Sequence, residues 1–136
     1  MGQKKKILVV DDERDIVKAL MIRLQRAGYD VVTAFDGAQG VFMGHKEKPD
    51  LIILDIRMPA GNGFSVAQRL KRSIHTFTIP VIFLTGSPEK NAEEKAMAVG
   101  ARFYIKKPYD PEELLDAIKR ALEEGPDPSL KLEDID

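Results

Sequence analysis

Residues 51–63 of this chain read LIILDIRMPAGNG, and this segment is the most informative about its fold. Its first four residues are an uninterrupted apolar run, which is typical of a strand covered on both faces. An acidic residue, Asp55, follows directly, and a loop with Gly61 and Gly63 comes after it. The pattern predicts a central strand of a parallel sheet that carries a carboxylate at its carboxyl end.

Four similar segments accompany this strand along the chain. Residues 7–10 and 81–84 are also fully apolar, whereas residues 31–34 and 102–105 are mixed but rich in β-branched or aromatic residues. Each of the five segments precedes a stretch with helical periodicity, and this alternation is the signature of a parallel sheet with crossover helices. We therefore predict an α/β fold with five strand–helix units, in which the three apolar strands are central.

The first three helices follow from apolar spacing and turn residues. The first has apolar residues at i, i+3, i+4 and i+7 counted from Val17, and Gly28 stands where its carboxyl cap belongs. The second and third helices are predicted at residues 38–46 and 64–73. The first helix therefore presents one apolar face.

The last two helices differ in their apolar faces. The fourth is predicted to begin at Ser87, with Pro88 in its first turn, and to end before Gly100. Its apolar face consists of two alanines and one valine, so we expect it to pack weakly. The last helix begins at Asp110, an N-cap residue, with Pro111 in its first turn.

Composition excludes several classes of protein. The chain has 136 residues, of which 43% are hydrophobic and 32% charged, which is a globular rather than a disordered composition. The absence of cysteine excludes a disulfide scaffold and favours the cytoplasm. A net charge of −1 and the lack of a long apolar run predict binding to neither nucleic acid nor membrane. Residues 1–124 are predicted to form one domain and residues 125–136 an acidic tail or the start of a linker.

The functional site of an open parallel sheet lies at the carboxyl ends of its strands. There the sequence offers Asp11 and Asp12 after the first strand, Asp55 after the third, Thr85 after the fourth and Lys107 after the fifth. Three neighbouring carboxylates repel one another unless they share a cation or bind protons. Together with the lysine they have a formal charge of −2, which one Mg²⁺ would neutralise through oxygen ligands. The charge count predicts that phosphoryl transfer to Asp55 would require the metal.

A simpler interpretation exists for each residue taken singly. An aspartate after a strand more often caps a helix or a turn, and a Lys-Pro pair is usually part of a turn. Capping alone does not account for an acid pair, a further acid, a hydroxyl and a lysine at four strand ends of one sheet.

These residues resemble the receiver domains of two-component response regulators. The similar motifs are the acid pair Asp11-Asp12, the stretch at residues 51–63, Leu84-Thr85-Gly86 and Lys107-Pro108, and together they cover nearly the whole chain. The resemblance implies a flavodoxin-like doubly wound sheet of strand order 2-1-3-4-5 with five helices on its two faces. It also implies a signalling domain rather than an enzyme, one that promotes its own phosphorylation and dephosphorylation.

The resemblance implies a role for each motif residue. Asp55 would accept a phosphoryl group from a sensor histidine kinase or a histidine phosphotransfer protein. Asp11, Asp12, Asp55 and the backbone carbonyl of Arg57 would bind Mg²⁺, with Mn²⁺ as a substitute. Lys107, after the fifth strand, would contact the phosphoryl group, and the Lys107-Pro108 peptide would be cis. Thr85 would be the switch hydroxyl. Tyr104 would turn inward when the switch operates.

Partner surfaces are also implied. A second apolar strip on the first helix, with Ile16, Ala19 and Ile22, would contact the kinase together with Arg23 and Tyr109, although the strip is equally well explained as a margin of the core. The surface of the fourth helix, fifth strand and fifth helix would carry the output to a downstream protein or to an output domain outside this sequence, and phosphorylation would favour a dimer.

Two other classes of protein fit these residues less well. A pseudo-receiver that binds partners without phosphate would have lost an acid or the lysine, and this chain has kept them all. An aspartate-dependent phosphohydrolase similar to the haloacid dehalogenases needs two aspartates one residue apart, whereas Glu13 occupies that spacing after Asp11.

Overall fold

Strands and helices alternate along the whole of the described chain. The computed structural model describes residues 3–125. Within them lie five strands and five helices, and their bounds are β1 (Lys6–Val10), α1 (Arg14–Arg26), β2 (Asp30–Ala34), α2 (Gly37–Glu47), β3 (Leu51–Leu54), α3 (Gly63–Lys71), β4 (Val81–Thr85), α4 (Ala92–Ala98), β5 (Phe103–Lys106) and α5 (Pro111–Glu124).

The strands form one parallel sheet in the order β2-β1-β3-β4-β5. Leu8 of β1 lies beside Ile52 of β3, and Ile53 of β3 lies beside Ile82 of β4. All residues of β3 and β4 are buried, as are all of β1 after Lys6, because helices cover both faces of these strands. The predicted flavodoxin-like α/β class, the strand order and the five helices are confirmed.

Each face of the sheet has its own core. On one face, Ile52 and Phe83 pack with buried residues of α3 and α4 such as Leu70. On the other face, neighbouring strand residues such as Ile53 pack with buried residues of α1 and α5, including Leu20. This division arises because successive side chains of a strand point to opposite faces of the sheet.

Gly28 ends α1 as the sequence predicts. It has φ of +99°, and its N–H donates to the carbonyl of Gln25 at 3.0 Å. The next N–H, of Tyr29, donates to the carbonyl of Leu24 at 3.1 Å, which completes a Schellman motif. Beyond the helix the chain turns directly into β2.

The predicted start of α4 is wrong. The helix begins at Ala92 rather than at Ser87, and the residue before it, Asn91, has φ of +62°. The hydroxyl of Thr85 accepts a hydrogen bond from the N–H of Ser87 (3.1 Å), and the hydroxyl of Ser87 accepts one from the N–H of Glu89 (3.2 Å). Hydrogen bonds of this kind, from backbone N–H groups to nearby side-chain hydroxyls, compete with helix formation. The segment therefore remains a loop.

The remaining boundaries agree with prediction to within two residues, and β3 has the predicted bounds. Thr85, expected just after the fourth strand, is the last residue of β4, and β5 runs one residue later than predicted. No helix within residues 3–125 combines the length and apolar character needed to span a bilayer. The acidic tail predicted for residues 125–136 lies almost entirely outside the described residues.

Candidate acidic site at the carboxyl ends of the strands

Three aspartates meet at one edge of the sheet. Asp11 and Asp12 follow β1, and Asp55 follows the neighbouring strand β3. One carboxylate oxygen of each lies within 4.8 Å of the others. The backbone N–H of Asp55 donates to the carbonyl of Val10 at 3.0 Å, which continues the pairing of the two strands to this point. Sheet pairing therefore sets the distance between the acids.

Burial makes this cluster electrostatically costly. Asp11 is 4% exposed and Asp55 is 6% exposed, whereas Asp12 is on the surface. Burial raises the pKa of Asp11 and the charge of Asp55 raises it further, although hydrogen bonds from Lys107 and from the N–H of Glu13 act in the opposite direction. A bound cation would remove this penalty on the ionised form.

Lys107 supplies a positive charge to the cluster. Its Nζ lies 2.6 Å from Oδ2 of Asp11, 3.4 Å from Oε1 of Glu13 and 3.6 Å from Oδ2 of Asp55. Burial opposes the charged form of this lysine, but the hydrogen bond to Asp11 and the surrounding carboxylates outweigh it, so the pKa of Lys107 is raised. The lysine is therefore a cation in the site.

Asp55 has one carboxylate oxygen fixed and one less constrained. Oδ1 accepts a hydrogen bond from the backbone N–H of Ile56 at 2.7 Å. Oδ2 is 3.6 Å from Nζ of Lys107, which is beyond an ordinary hydrogen bond. The carboxylate is thus held in one orientation while an oxygen remains without a short contact to the lysine.

A cleft of about 370 Å³ opens beside Asp55. Its walls come from the loops after β1, β3 and β4, and they are formed by Asp12, Glu13, Asp55, Arg57, Thr85, Gly86, Ser87 and Pro88. A Cβ at Gly86 would be 3.7 Å from Cβ of Lys107, which is an ordinary contact, so glycine is not sterically required here. Because glycine has no side chain, it leaves this side of the cleft open. The cleft is roomy enough for a phosphoryl group and its waters.

The donor set fits a hard divalent cation. It consists of carboxylate oxygens from Asp11, Asp12 and Asp55, and Arg57 lines the same cleft. Mg²⁺ prefers oxygen ligands and is commonly held by one or two carboxylates with water and phosphate oxygens completing its shell. Neither histidine belongs to this cluster.

Thr85 and Tyr104 connect the cleft to α4. Thr85 is 1% exposed, and its hydroxyl accepts the hydrogen bond from Ser87 that begins the β4–α4 loop. Tyr104 is half-buried on β5 and lines a groove of about 780 Å³ between β5 and α4. Burial raises the pKa of Tyr104, and the negative charges of Glu93, Asp55 and Glu89 add to this shift.

The loop after β5 returns the chain to the cleft. The backbone N–H of Lys107 donates to the carbonyl of Thr85 at 3.0 Å, which fixes the lysine next to the end of β4. The peptide bond between Lys107 and Pro108 is cis.

Three of the five residues expected to contact a kinase line one groove. Ala19, Ile22 and Arg23 line a groove between α1 and Leu115 of α5, and Ile22 is 40% exposed. The other two members of the set, Ile16 and Tyr109, are half-buried and are not among the residues that line this groove.

Two contacts near the site were not predicted from the sequence. Glu13 reaches Lys107, and its position directly after the acid pair was the available signal. Gly37 of α2 approaches the loop after β3, and no sequence pattern marks this contact because the two segments meet only in the folded chain.

Known proteins are similar to this chain in both sequence and fold. The family model of the response regulator receiver domain matches residues 7–119. The alkaline phosphatase synthesis transcriptional regulatory protein PhoP of Bacillus subtilis is 41% identical over 118 residues, which are 87% of this chain and 48% of PhoP. The chain thus spans about half the length of this curated relative.

Solved receiver structures superpose on nearly all of the described fold. A response regulator of Chloroflexus aurantiacus aligns with a TM-score of 0.83 and 30% identity, covering 88% of this chain and 98% of the other. The receiver domain of a sensor histidine kinase of Pseudomonas aeruginosa aligns with a TM-score of 0.81 and 26% identity over 88% of this chain and 98% of its own. That structure contains a magnesium ion coordinated in its active-site cleft.

The chain belongs to the response regulator receiver domain family. Receiver domains are signalling domains of two-component systems, and histidine kinases are their partners. The described site has the acidic pocket in which receiver domains bind Mg²⁺.

Proposed function

We propose that Asp55 accepts a phosphoryl group from the phosphohistidine of a sensor kinase or phosphotransfer protein, in a reaction that requires Mg²⁺. The observation that carries this proposal is the position of Asp55. Its carboxylate is buried beside two further aspartates within 4.8 Å, 3.6 Å from the Lys107 ammonium, and on the wall of an open cleft.

The reaction is a nucleophilic displacement at phosphorus. A carboxylate oxygen of Asp55 forms the new O–P bond, the P–N bond of the donor breaks, and its electron pair remains on the imidazole nitrogen. The hydrogen bond between Oδ1 and the N–H of Ile56 orients the nucleophile before the donor arrives. The product is an acyl phosphate that water later hydrolyses.

Asp11, Asp12, Asp55 and the backbone carbonyl of Arg57 would hold the metal ion. When bound, Mg²⁺ neutralises charge on the phosphoryl oxygens as the bond forms. Lys107 supplies the second positive charge, because its Nζ is already 3.6 Å from Oδ2 of Asp55. Without a metal, a dianionic phosphoryl group would join an acidic cluster that one lysine leaves net negative.

Thr85 would transmit the effect of phosphorylation to the β4–α4 loop. Its hydroxyl accepts the N–H of Ser87 in the structure, so turning that hydroxyl toward a phosphoryl oxygen changes the anchor of the β4–α4 loop. Tyr104 lies next along this path, half-buried at the groove between β5 and α4. We propose that this groove and the adjoining surface of α5 carry the output, since α4 has only two buried residues, Ala92 and Ala96, to hold it in place.

The partner proteins follow from the surfaces and from the relatives. The groove beside Ala19, Ile22 and Arg23 is the proposed contact for the kinase. The relative PhoP is a transcriptional regulator about twice as long as the aligned region, so we propose that the output is delivered through protein contacts or by a domain outside this sequence. The receiver domain itself would contact no DNA. Phosphorylation would favour a dimer, and the protein would be located in the cytoplasm.

Intact mass under mild conditions tests the central reaction. Wild-type protein incubated with a small-molecule phosphodonor and Mg²⁺ should gain one phosphoryl group, and it should gain none with a chelator or in Asp55→Asn. Asp50→Asn is the matched control, since this aspartate lies at the opposite end of β3 and should leave phosphorylation intact. Failure of wild type with both a small-molecule and a phosphohistidine donor, with rapid hydrolysis excluded, would favour a phosphate-independent binding module.

A further inference from the structure

A very close backbone approach joins α2 to the loop after β3. Gly37 is the first residue of α2, and a Cβ built on it would lie 2.1 Å from the carbonyl oxygen of Gly61 and 2.6 Å from that of Ala60. Real Cβ atoms do not come so close to a backbone oxygen. Any other residue at position 37 would therefore displace either this loop or the helix.

A hydrogen bond fixes the same two segments to each other. The backbone N–H of Gly37 donates to the carbonyl of Pro59 at 3.0 Å. The first N–H groups of a helix have no partner within the helix, so this bond gives one of them an acceptor. Gly37 thus leaves the space that the loop needs and donates the hydrogen bond that holds the loop against α2.

The start of α2 is itself well anchored. Oδ1 of Asp36 accepts the N–H of Gln39 at 2.7 Å, and Oε1 of Gln39 accepts the N–H of Phe35 at 2.6 Å. Two side chains therefore fix the backbone on both sides of Gly37. A steric conflict at position 37 would consequently move the loop more readily than the helix.

The loop after β3 connects the contact with Gly37 to the wall of the cleft. Its far end is closed by the N–H of Gly63, which donates to the carbonyl of Ile56 at 2.7 Å. Between these points the chain passes through Arg57 at the cleft wall and then Pro59, two residues later. Arg57 thus lies in a loop that is held at its base by the bond between Gly63 and Ile56 and on its outer side by Gly37.

We propose that Gly37 is a positioning residue for the Mg²⁺ site, because it sets the place of the loop whose Arg57 carbonyl would be a metal ligand. This inference rests on the proposed function of the acidic cleft. It assigns to α2 a part in metal affinity that the side chains of the cleft do not reveal.

Calorimetric titration with MgCl₂ tests the proposal on wild type, Gly37→Ala and Gly44→Ala. The control glycine is in the same helix, but a Cβ there would meet only the end of a flexible side chain, Cδ2 of Leu70 at 2.8 Å. Gly37→Ala should bind Mg²⁺ about tenfold or more weakly, the size of effect seen when the support of a metal ligand is lost. Gly44→Ala should bind as wild type does, and thermal unfolding of the metal-free proteins shows whether each variant is folded.

The outcomes separate this inference from the proposed function. If wild type binds no Mg²⁺, the proposed function fails. If wild type binds it and the two alanine variants bind equally well, only the role of Gly37 is overturned. Should Gly37→Ala not fold, Gln39→Ala loosens the same anchor without a clash or a change of charge; weaker Mg²⁺ binding supports the proposal, and wild-type affinity overturns it.

Discussion

The ammonium of Lys107 donates a hydrogen bond of 2.6 Å to Oδ2 of Asp11, whereas 3.6 Å separates it from Oδ2 of Asp55. The lysine is thus bonded to a proposed metal ligand rather than to the proposed phosphoacceptor. Both carboxylates are buried, so the ammonium compensates negative charge that little water can reach. Binding of a divalent cation would weaken the hold of Asp11 on the lysine and leave Lys107 free to contact a phosphoryl group.

Lys107→Ala should therefore make stability depend more strongly on Mg²⁺. Without the metal, the free energy of unfolding should fall by about 1–3 kcal/mol, because buried carboxylates lose their hydrogen-bonding partner. Saturating Mg²⁺ should restore most of this loss, since it binds only the folded site. Urea unfolding with and without Mg²⁺ measures both effects, and an equal loss in the exposed neighbour variant Lys106→Ala would contradict the explanation.

Tyr104 should report the charge on Asp55. The pKa of Tyr104 is raised above the ordinary 10.0, first by burial and then by the charges of Glu93, Asp55 and Glu89. Because the folded pKa exceeds the unfolded one, this group stabilises the fold below the unfolded pKa. The free energy of unfolding falls as pH rises from there through the folded pKa.

Ultraviolet absorbance titration of a protein with Tyr29→Phe and Tyr109→Phe isolates Tyr104. Asp55→Asn removes one nearby negative charge, so it should lower the pKa of Tyr104 while leaving it above the ordinary value, since burial is the main cause. Asp50→Asn, at the opposite end of β3, should not change it. A Tyr104 pKa that responds equally to both substitutions would show that the shift does not come from the cleft.

Thr85→Ala should separate phosphorylation from switching. The variant keeps Asp55 and the acid cluster, so it should still gain one phosphoryl group. It lacks the hydroxyl that anchors the N–H of Ser87, so phosphorylation should no longer change the amide chemical shifts of α4 and β5. Thr85→Ser retains the hydroxyl and should behave as wild type; identical phosphorylation-induced shifts in the alanine variant would remove Thr85 from the switch.

Arg23→Glu should slow phosphotransfer from a kinase without slowing phosphorylation by a small donor. Arg23 is exposed in the groove beside Ile22 and is not among the residues that line the cleft, so the chemistry at Asp55 should be unaffected. Transfer rates measured with a phosphorylated histidine donor should fall, whereas thermal stability should stay within about 0.5 kcal/mol. Lys18→Glu, on the same helix but outside the groove lining, is the matched control, and equal slowing by both variants would argue against a specific contact.

Local pattern was enough to predict most of the fold. The apolar runs at β1, β3 and β4 mark strands covered on both faces, and the helical spacing from Val17 marks the buried side of α1. Because parallel strands bring their carboxyl ends to one edge, the sequence also indicated that Asp11, Asp55 and Lys107 would meet. These predictions succeed because periodicity and strand direction are properties of short segments.

Only the folded chain decided the details that govern the site. Helix α4 begins late because the hydroxyl of Thr85, from the preceding strand, bonds to the N–H of Ser87. Lys107 bonds to Asp11 rather than to Asp55, and Gly37 meets the loop after β3, because the order and spacing of the strands set those distances. The sequence thus determined which chemical groups share one edge of the sheet, while packing between distant segments determined which of them touch.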